Sequence, residues 1–195
     1  TALRDRVPCA PVRDLIGTDD LDAAYAVQQG LVRERLSAGA RVVGRKIGAT
    51  SEAVQRQLGV DQPDFGYLFD TMDVSDQERI SMAPLLQPRV EGEVAFVLGR
   101  DLDDDEITLD TVRAAVDVAL PALEIVDSRI ADWDIGFTDT VADNASSGLF
   151  VVGREGRTLD ELEPREVTMS LTINGDERSA GNGAVNATRT SVALV

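Results

Sequence analysis

The chain has 195 residues, with 19 Lys and Arg against 35 Asp and Glu for a formal net charge of −16, and 43% of its residues are hydrophobic. That is enough apolar sequence for one buried core, so disorder and collagen-like repeats are excluded, and the acidity repels nucleic acid and anionic membranes. Cys9 is the single cysteine and histidine is absent, which excludes a disulfide framework, cysteine- or histidine-ligated zinc, and Ser-His-Asp or Cys-His catalysis within the chain.

Residues 1–17, with Pro8, Pro11 and Gly17, read as an irregular lead-in. Leu21, Ala24, Tyr25, Leu31, Val32 and Leu36 then fall at helical spacing, with Thr18, Asp19 or Asp20 as cap and Gly39 as stop. Val42 to Gly48 predicts a short strand bracketed by glycines. Thr50 or Ser51 caps a short helix through Leu58 that Gly59 ends, and Asp61 to Gly66 is expected as a loop carrying two carboxylates. A polar stretch from Asp70 to Ser81 precedes a clean alternation over Val90 to Leu98, a strand with Glu91, Glu93, Ala95 and Val97 on one face. Asp101 to Glu106 is an acidic turn lacking the glycine and terminal Glu of an EF-hand loop, and reads as solvated.

Leu109, Val112, Ala115, Val116 and Ala119 predict a second amphipathic helix that stops near Pro121, followed by a strand at Ala122 to Val126. Residues 129–150 read as loop-rich. Strands are expected at Leu149–Val152 and Val167–Ile173, with a turn at Asn174-Gly175. No window approaches the roughly 18 consecutive apolar residues of a membrane span, and the first residues lack a charged-then-apolar signal pattern, so the expected setting is cytoplasmic.

The chemistry left to such a chain is that of carboxylates, hydroxyls, Arg and Lys. Lys46 is the one lysine among the 19 cationic residues, either a chance survivor or a site where a deprotonatable amine is wanted. Glu91 and Glu93, two apart on a strand, point to the same face. They are unremarkable if that face is solvated and costly if it is buried, unless a cation neutralises them. Glu124 sits in the apolar run Pro-Ala-Leu-Glu-Ile-Val-Asp, where a buried carboxylate needs a partner. Three such carboxylates would form an all-oxygen site suited to Mg²⁺ or Mn²⁺. Asp127, of opposite strand parity, reads as a structural hydrogen-bond acceptor. The run from Asp139 to Gly148, rich in small hydroxyl and amide side chains, is either a capping loop or a substrate-orienting one.

Several of these segments together carry a family resemblance. Gly44-Arg45-Lys46-Ile47-Gly48 with Thr50-Ser51, Gln57 to Gly66, Val90-Glu91-Gly92-Glu93-Val94-Ala95-Phe96, Pro121 to Arg129 and Asp139 to Gly148 resemble, in the same order, the 2-keto-4-pentenoate hydratases of the fumarylacetoacetate hydrolase superfamily. The likeness covers roughly residues 20 to 175. It implies an α+β fold, a mixed β-sandwich roll with flanking amphipathic helices, divided into a helical segment 1–40 and a catalytic β-roll 41–195.

It also implies a divalent ion, Mg²⁺ or Mn²⁺, held by Glu91, Glu93 and Glu124. Lys46 and Asp64 would act beside the substrate, with Ser146, Ser147 and Gly148 at the pocket wall. The implied activity is hydration of 2-hydroxypenta-2,4-dienoate to 4-hydroxy-2-oxopentanoate in meta-cleavage degradation of aromatic compounds. The alternatives are a 4-oxalocrotonate decarboxylase, for which Arg45 or Arg129 would meet a second substrate carboxylate, and a non-catalytic partner subunit. The expected partner is a small 2-oxo or 2-hydroxydienoate molecule. Members of the family begin before the position of Thr1 and continue beyond Val195. The physical polypeptide is therefore expected to be longer at both ends, with a gap between Ala184 and Val185, and to assemble as a homo-oligomer that covers the sheet edge.

Overall fold

The computed structural model describes residues 2–50, 55–56, 59–103, 105–183 and 191–194, the last of these by backbone alone. Two short helices, α1 (Ala2–Asp5) and α2 (Arg13–Ile16), lead into α3 (Leu21–Ser37), whose first turn is capped by the Asp20 side chain accepting from Ala23 N. Gly39, at φ 94, follows its end. Ala24, Gln28 and Val32 form the buried stripe of α3, whereas Leu31 and Leu36, expected to face inward, are exposed. The departure centres on Gln28. Its Nε2 donates to the carbonyls of Phe65 and Val141 at 2.8 and 2.9 Å, so a polar side chain pins the helix where an apolar stripe alone would let it rotate.

The remaining elements are β1 (Val42–Gly48), β2 (Asp64–Phe69), β3 (Pro88–Leu98), α4 (Leu109–Ala115), β4 (Val116–Asp127), α5 (Phe137–Ala142), β5 (Ser147–Val152), β6 (Thr168–Ile173), β7 (Asp176–Asn182) and β8 (Ser191–Leu194). Six strands form one mixed sheet in the order β2-β1-β8-β3-β4-β5, in which β3 and β8 are parallel and the other neighbours antiparallel. β6 and β7 form a separate hairpin around Asn174 and Gly175, both at positive φ, as a two-residue turn of this kind requires. The fold is therefore a mixed α/β one, built on a sheet and a hairpin.

Three expectations are corrected. The segment read as a loop through Gly66 becomes β2 from Asp64 onward, because pairing with β1 extends it. The second helix ends at Ala115, since Val116 to Leu120 pair with the far half of β3. Pro121 then lies inside β4, where its carbonyl accepts from Gly153 N at 2.8 Å. The loop-rich stretch contains α5, which packs its Phe137, Val141 and Ala142 against Ala24 of α3. The helix expected at 50–58 lies mostly outside the described residues, within which Gln55 and Arg56 are helical and Val60 N reaches back to Gln55 O. The break expected between Ala184 and Val185 also lies outside them.

A core of Val32, Leu68, Phe69, Met72, Ala95, Ala122 and Phe150 fills one face of the sheet. On the other face, the β6–β7 hairpin encloses a cavity of about 510 Å³ with Val90, Pro121, Leu123 and Val151. Among the described residues, no helix is long and apolar enough to cross a membrane.

Candidate active site

Antiparallel pairing sets Glu91 of β3 directly opposite Glu124 of β4, with Glu93 opposite Ala122. All three carboxylates thus share one parity and the face that also carries Ala95 and Phe150. Glu93 and Glu124 are fully buried and Glu91 is half-buried. One carboxylate oxygen from each lies within 4.8 Å of the others, close to the spacing that bonds of about 2.0–2.6 Å to a single hard cation would span. Among the described residues, neither Glu124 oxygen has a hydrogen-bond donor in proper geometry. A buried, all-carboxylate set of this kind fits a divalent cation: without one, the like charges repel in a low-dielectric site.

Lys46 reaches the same point from β1. Its Nζ lies 3.3 Å from Glu124 Oε1 and donates to the carbonyl of Ala145 at 2.9 Å, with 4% of its side chain exposed. The cluster thus contains a cation that its local sequence did not reveal, brought in from a strand more than forty residues away. Burial pulls the Lys46 ammonium toward deprotonation, but the carboxylates of Glu124, Asp64 and Glu91 outweigh it and hold its pKa above the usual lysine value. Burial pushes Glu124 up, and repulsion from Glu91 adds to this against the opposing pull of Lys46.

Asp64 begins β2 opposite Gly48. Its Oδ2 accepts from Thr140 Oγ1 at 3.0 Å, and its buried Oδ1 has no hydrogen-bond partner among the described residues. The position of Gly48, two residues after Lys46 on β1, explains how the two groups come so close. A Cβ on Gly48 would sit 2.2 Å from Asp64 Oδ1 and 3.4 Å from Lys46 Nζ. The space that a side chain would fill there is therefore taken by Asp64. Gly66 serves the same purpose on the neighbouring strand, where a Cβ would lie 2.7 Å from the Asn144 carbonyl and 3.0 Å from Lys46 Cγ.

The segment expected to wall the pocket divides in three. Ser146 turns its hydroxyl toward Asp143 Oδ2 at 3.4 Å. Ser147 is buried, and its Oγ has no hydrogen-bond partner among the described residues. Gly148 packs its backbone on β4, where a Cβ would lie 2.5 Å from the Ile125 carbonyl. Asp127 is the structural acceptor its parity implied, bonding the amides of Leu86 and Gln87 at 2.6–3.0 Å.

Two participants lie inside the run from Asp139 to Gly148, whose composition marks the segment but not their roles. Thr140 orients Asp64. The backbone at Asn144, Ala145 and Ser146 takes φ values of 57, 52 and 51°, a left-handed turn without a glycine to announce it. Arg45, one of the two candidates for a second substrate carboxylate, is exposed and stacks on the Tyr67 ring at 3.7 Å. The other, Arg129, is buried and fully engaged with Asp143, its Nε 2.5 Å from Asp143 Oδ1, and with nearby carbonyls.

The family model described as fumarylacetoacetate (FAA) hydrolase C-terminal matches residues 40–193. Among curated proteins, the TodF product hydratase of Pseudomonas putida is 52% identical over 183 residues, which cover 94% of this chain and 68% of that protein. The 2-keto-4-pentenoate hydratase of Paraburkholderia xenovorans shows the same identity and the same coverage. Among solved structures, 4-oxalocrotonate decarboxylase from Pseudomonas putida, complexed with magnesium and adipate, superposes with a TM-score of 0.86 at 27% identity, covering 99% of this chain and 81% of that one.

Proposed function

The chain belongs to the fumarylacetoacetate hydrolase family, and on that premise we propose that it is a divalent-metal-dependent hydratase, a hydro-lyase that adds water to 2-hydroxypenta-2,4-dienoate and yields 4-hydroxy-2-oxopentanoate. The observation that carries the reading is the convergence of Glu91, Glu93 and Glu124 on one point, with Lys46 and Asp64 beside it. The hydratase names of relatives 52% identical to the chain agree with it. Glu91, Glu93 and Glu124 are the ligands in this reading, and the ion is Mg²⁺ or Mn²⁺. The ion's contribution is Lewis-acid stabilisation of negative charge on the 2-oxygen of the substrate.

The residues of the chain supply the rest. In the overall change the enol proton leaves the 2-oxygen, C5 gains a proton, and water then adds its oxygen to C4 and a proton to C3. Lys46 holds a charged N–H toward the substrate oxygens, with its other contacts fixed by Ala145 and Glu124. Asp64, with one buried oxygen unpartnered, moves the proton. The Ser147 hydroxyl, together with the Ser146 to Gly148 backbone, orients the bound molecule. Residues 41–195 act as the catalytic β-roll, in which the sheet and the β6–β7 hairpin are its two walls, and the protein works in the cytoplasm as a homo-oligomer.

The likeness to the decarboxylase structure favours one second reading, decarboxylation of 4-oxalocrotonate. That dicarboxylate needs an additional basic partner. Arg45 is stacked outward on Tyr67 and Arg129 is saturated by Asp143 and carbonyls, which weighs for hydration. The test is an assay of the purified protein with Mg²⁺ or Mn²⁺ on both substrates, following loss of dienol absorbance. Turnover of the pentadienoate is expected. Faster turnover of 4-oxalocrotonate would overturn the hydratase reading, and no turnover of either would leave a non-catalytic partner subunit.

A further inference from the structure

The Asn144-Ala145-Ser146 turn is unusual in being left-handed at three successive residues that carry a Cβ, a conformation that persists only where its surroundings enforce it. Here the enforcement is concentrated in one buried ion pair. Arg129 donates to Asp143 twice, from its backbone N to Oδ2 at 3.0 Å and from its Nε to Oδ1 at 2.5 Å. The same guanidinium bonds the Asp143 carbonyl through Nη2 and the Ser147 carbonyl through Nη1 at 2.6 Å, so that it grips the residues immediately before and after the turn. Asn144 adds a tether to β2, exchanging hydrogen bonds with the backbone N and O of Tyr67 at 2.8 and 2.9 Å. The atom that this arrangement places is the Ala145 carbonyl oxygen, which accepts from Lys46 Nζ.

We propose that Arg129 and Asp143 are positioning residues for Lys46. Their pair locks the left-handed turn, and the turn's Ala145 carbonyl fixes the Lys46 ammonium between itself and Glu124. This rests on the reading of Lys46 as a residue that touches substrate. The ammonium has three N–H bonds. One is spent on Ala145 at 2.9 Å, and the ion pair with Glu124 at 3.3 Å holds the head group on that side, so the direction of the remaining N–H bonds follows from where the Ala145 carbonyl sits. Without the clamp the turn relaxes toward ordinary backbone angles and its carbonyl swings away. Lys46 then keeps its charge and its burial but loses its direction, which lowers the rate of the chemical step more than the binding of substrate or metal.

The test uses the full chain, with Arg129→Met and the milder Asp143→Asn. Lys46 is the single lysine, so protein grown on ε-¹³C-lysine reports one CεH₂ group. In the wild-type protein its two protons should have distinct shifts, and in the variants they should merge toward one averaged signal. With Mg²⁺ and 2-hydroxypenta-2,4-dienoate, kcat should fall at least tenfold in Arg129→Met, with KM and Mg²⁺ half-saturation within threefold of wild type. A folded variant with an unchanged Lys46 signal or wild-type kcat would overturn the proposal, as would a tenfold rise in KM and Mg²⁺ half-saturation, the mark of general disruption. Should Arg129→Met not fold, Asp143→Asn decides by the same criteria. If the wild-type protein turns over no dienoate, the hydratase reading falls, and the Lys46 signal alone decides whether the clamp positions it.

Discussion

Gly48→Ala separates the geometry of the site from its chemistry, because it adds one methyl group and removes nothing. The new Cβ would lie 2.2 Å from Asp64 Oδ1 and 3.2 Å from Asp64 Cγ. Carbon and oxygen need about 3.4 Å or more, so the carboxylate must retreat by roughly 1 Å. It has little room to do so: Oδ2 is bonded to Thr140 at 3.0 Å and the residue is 2% exposed. Overpacking of this kind costs about 1–3 kcal/mol of stability. A displacement of about 1 Å in a reacting group costs on the order of a hundredfold in rate, equivalent to about 2.7 kcal/mol of transition-state stabilisation. The assay is steady-state loss of dienol absorbance under saturating Mg²⁺, beside a urea melt. The matching control is Gly92→Ala, between two of the proposed metal ligands, where a Cβ meets nothing within 4 Å among the described residues; its kcat should stay within threefold of wild type. A folded Gly48→Ala protein with wild-type kcat would remove Asp64 from the reaction, and an equal loss in both variants would show that any bulk on these strands disturbs the site.

Glu124→Gln should raise the Mg²⁺ half-saturation by on the order of tenfold or more, measured by titration calorimetry, since it withdraws one of three converging charges; an unchanged affinity would place the ion elsewhere. Gln28→Leu leaves the carbonyls of Phe65 and Val141 without their donor and should cost about 1–3 kcal/mol in urea unfolding. Asp139 supplies a pH test. Burial pushes its carboxyl up, but the backbone amides of Arg13 and Gly136 and the Arg13 guanidinium outweigh this and hold it below the usual carboxylate value. A depressed folded value means that its stabilisation is present above the ordinary carboxylate pKa of about 3.9 and is lost as pH falls through the lower folded one. Asp139→Asn should therefore lower stability at neutral pH and flatten the acid limb of the stability curve below about pH 4. An acid limb as steep as wild type would show that other carboxylates carry it.

What the sequence disclosed about the fold follows from how local each determinant is. β3 was legible because Glu91, Glu93, Ala95 and Val97 alternate within one strand, and the structure buries or half-buries every one of them. The start of α3 was legible through the cap that Asp20 provides. Val116 and Ala119 continue a helical spacing, which extends the predicted second helix past its end at Ala115. Only the partner strand decides otherwise, since Val118 pairs with Val97 and Ala119 with Phe96. The beginning of β2 was hidden by Pro63 and Gly66, which signal a turn in isolation. In the fold Gly66 is a strand residue chosen for closeness to Asn144 and Lys46.

The candidate site obeys the same division. Glu124 declared itself by a carboxylate in an apolar run, and Lys46 by being the one lysine, but nothing local says that they meet. Their meeting is a matter of register. Glu124 faces Glu91 on one side and Phe150 on the other, and a slip of one residue in either pairing would turn its carboxylate to the opposite face. Two features oppose such a slip. Phe150 is 1% exposed, and the same slip would expel its ring from the core. At the end of β4, Asp127 is fastened to the amides of Leu86 and Gln87, which enter β3 immediately before Pro88. The carboxylate that strand parity set aside from the cluster is thus one of the groups that keep the cluster's three members together, and Asp127→Ala should loosen the register and weaken the Mg²⁺ affinity without touching a ligand. Calorimetric titration of that variant checks this, and wild-type affinity in a folded Asp127→Ala protein would show that the core alone sets the register.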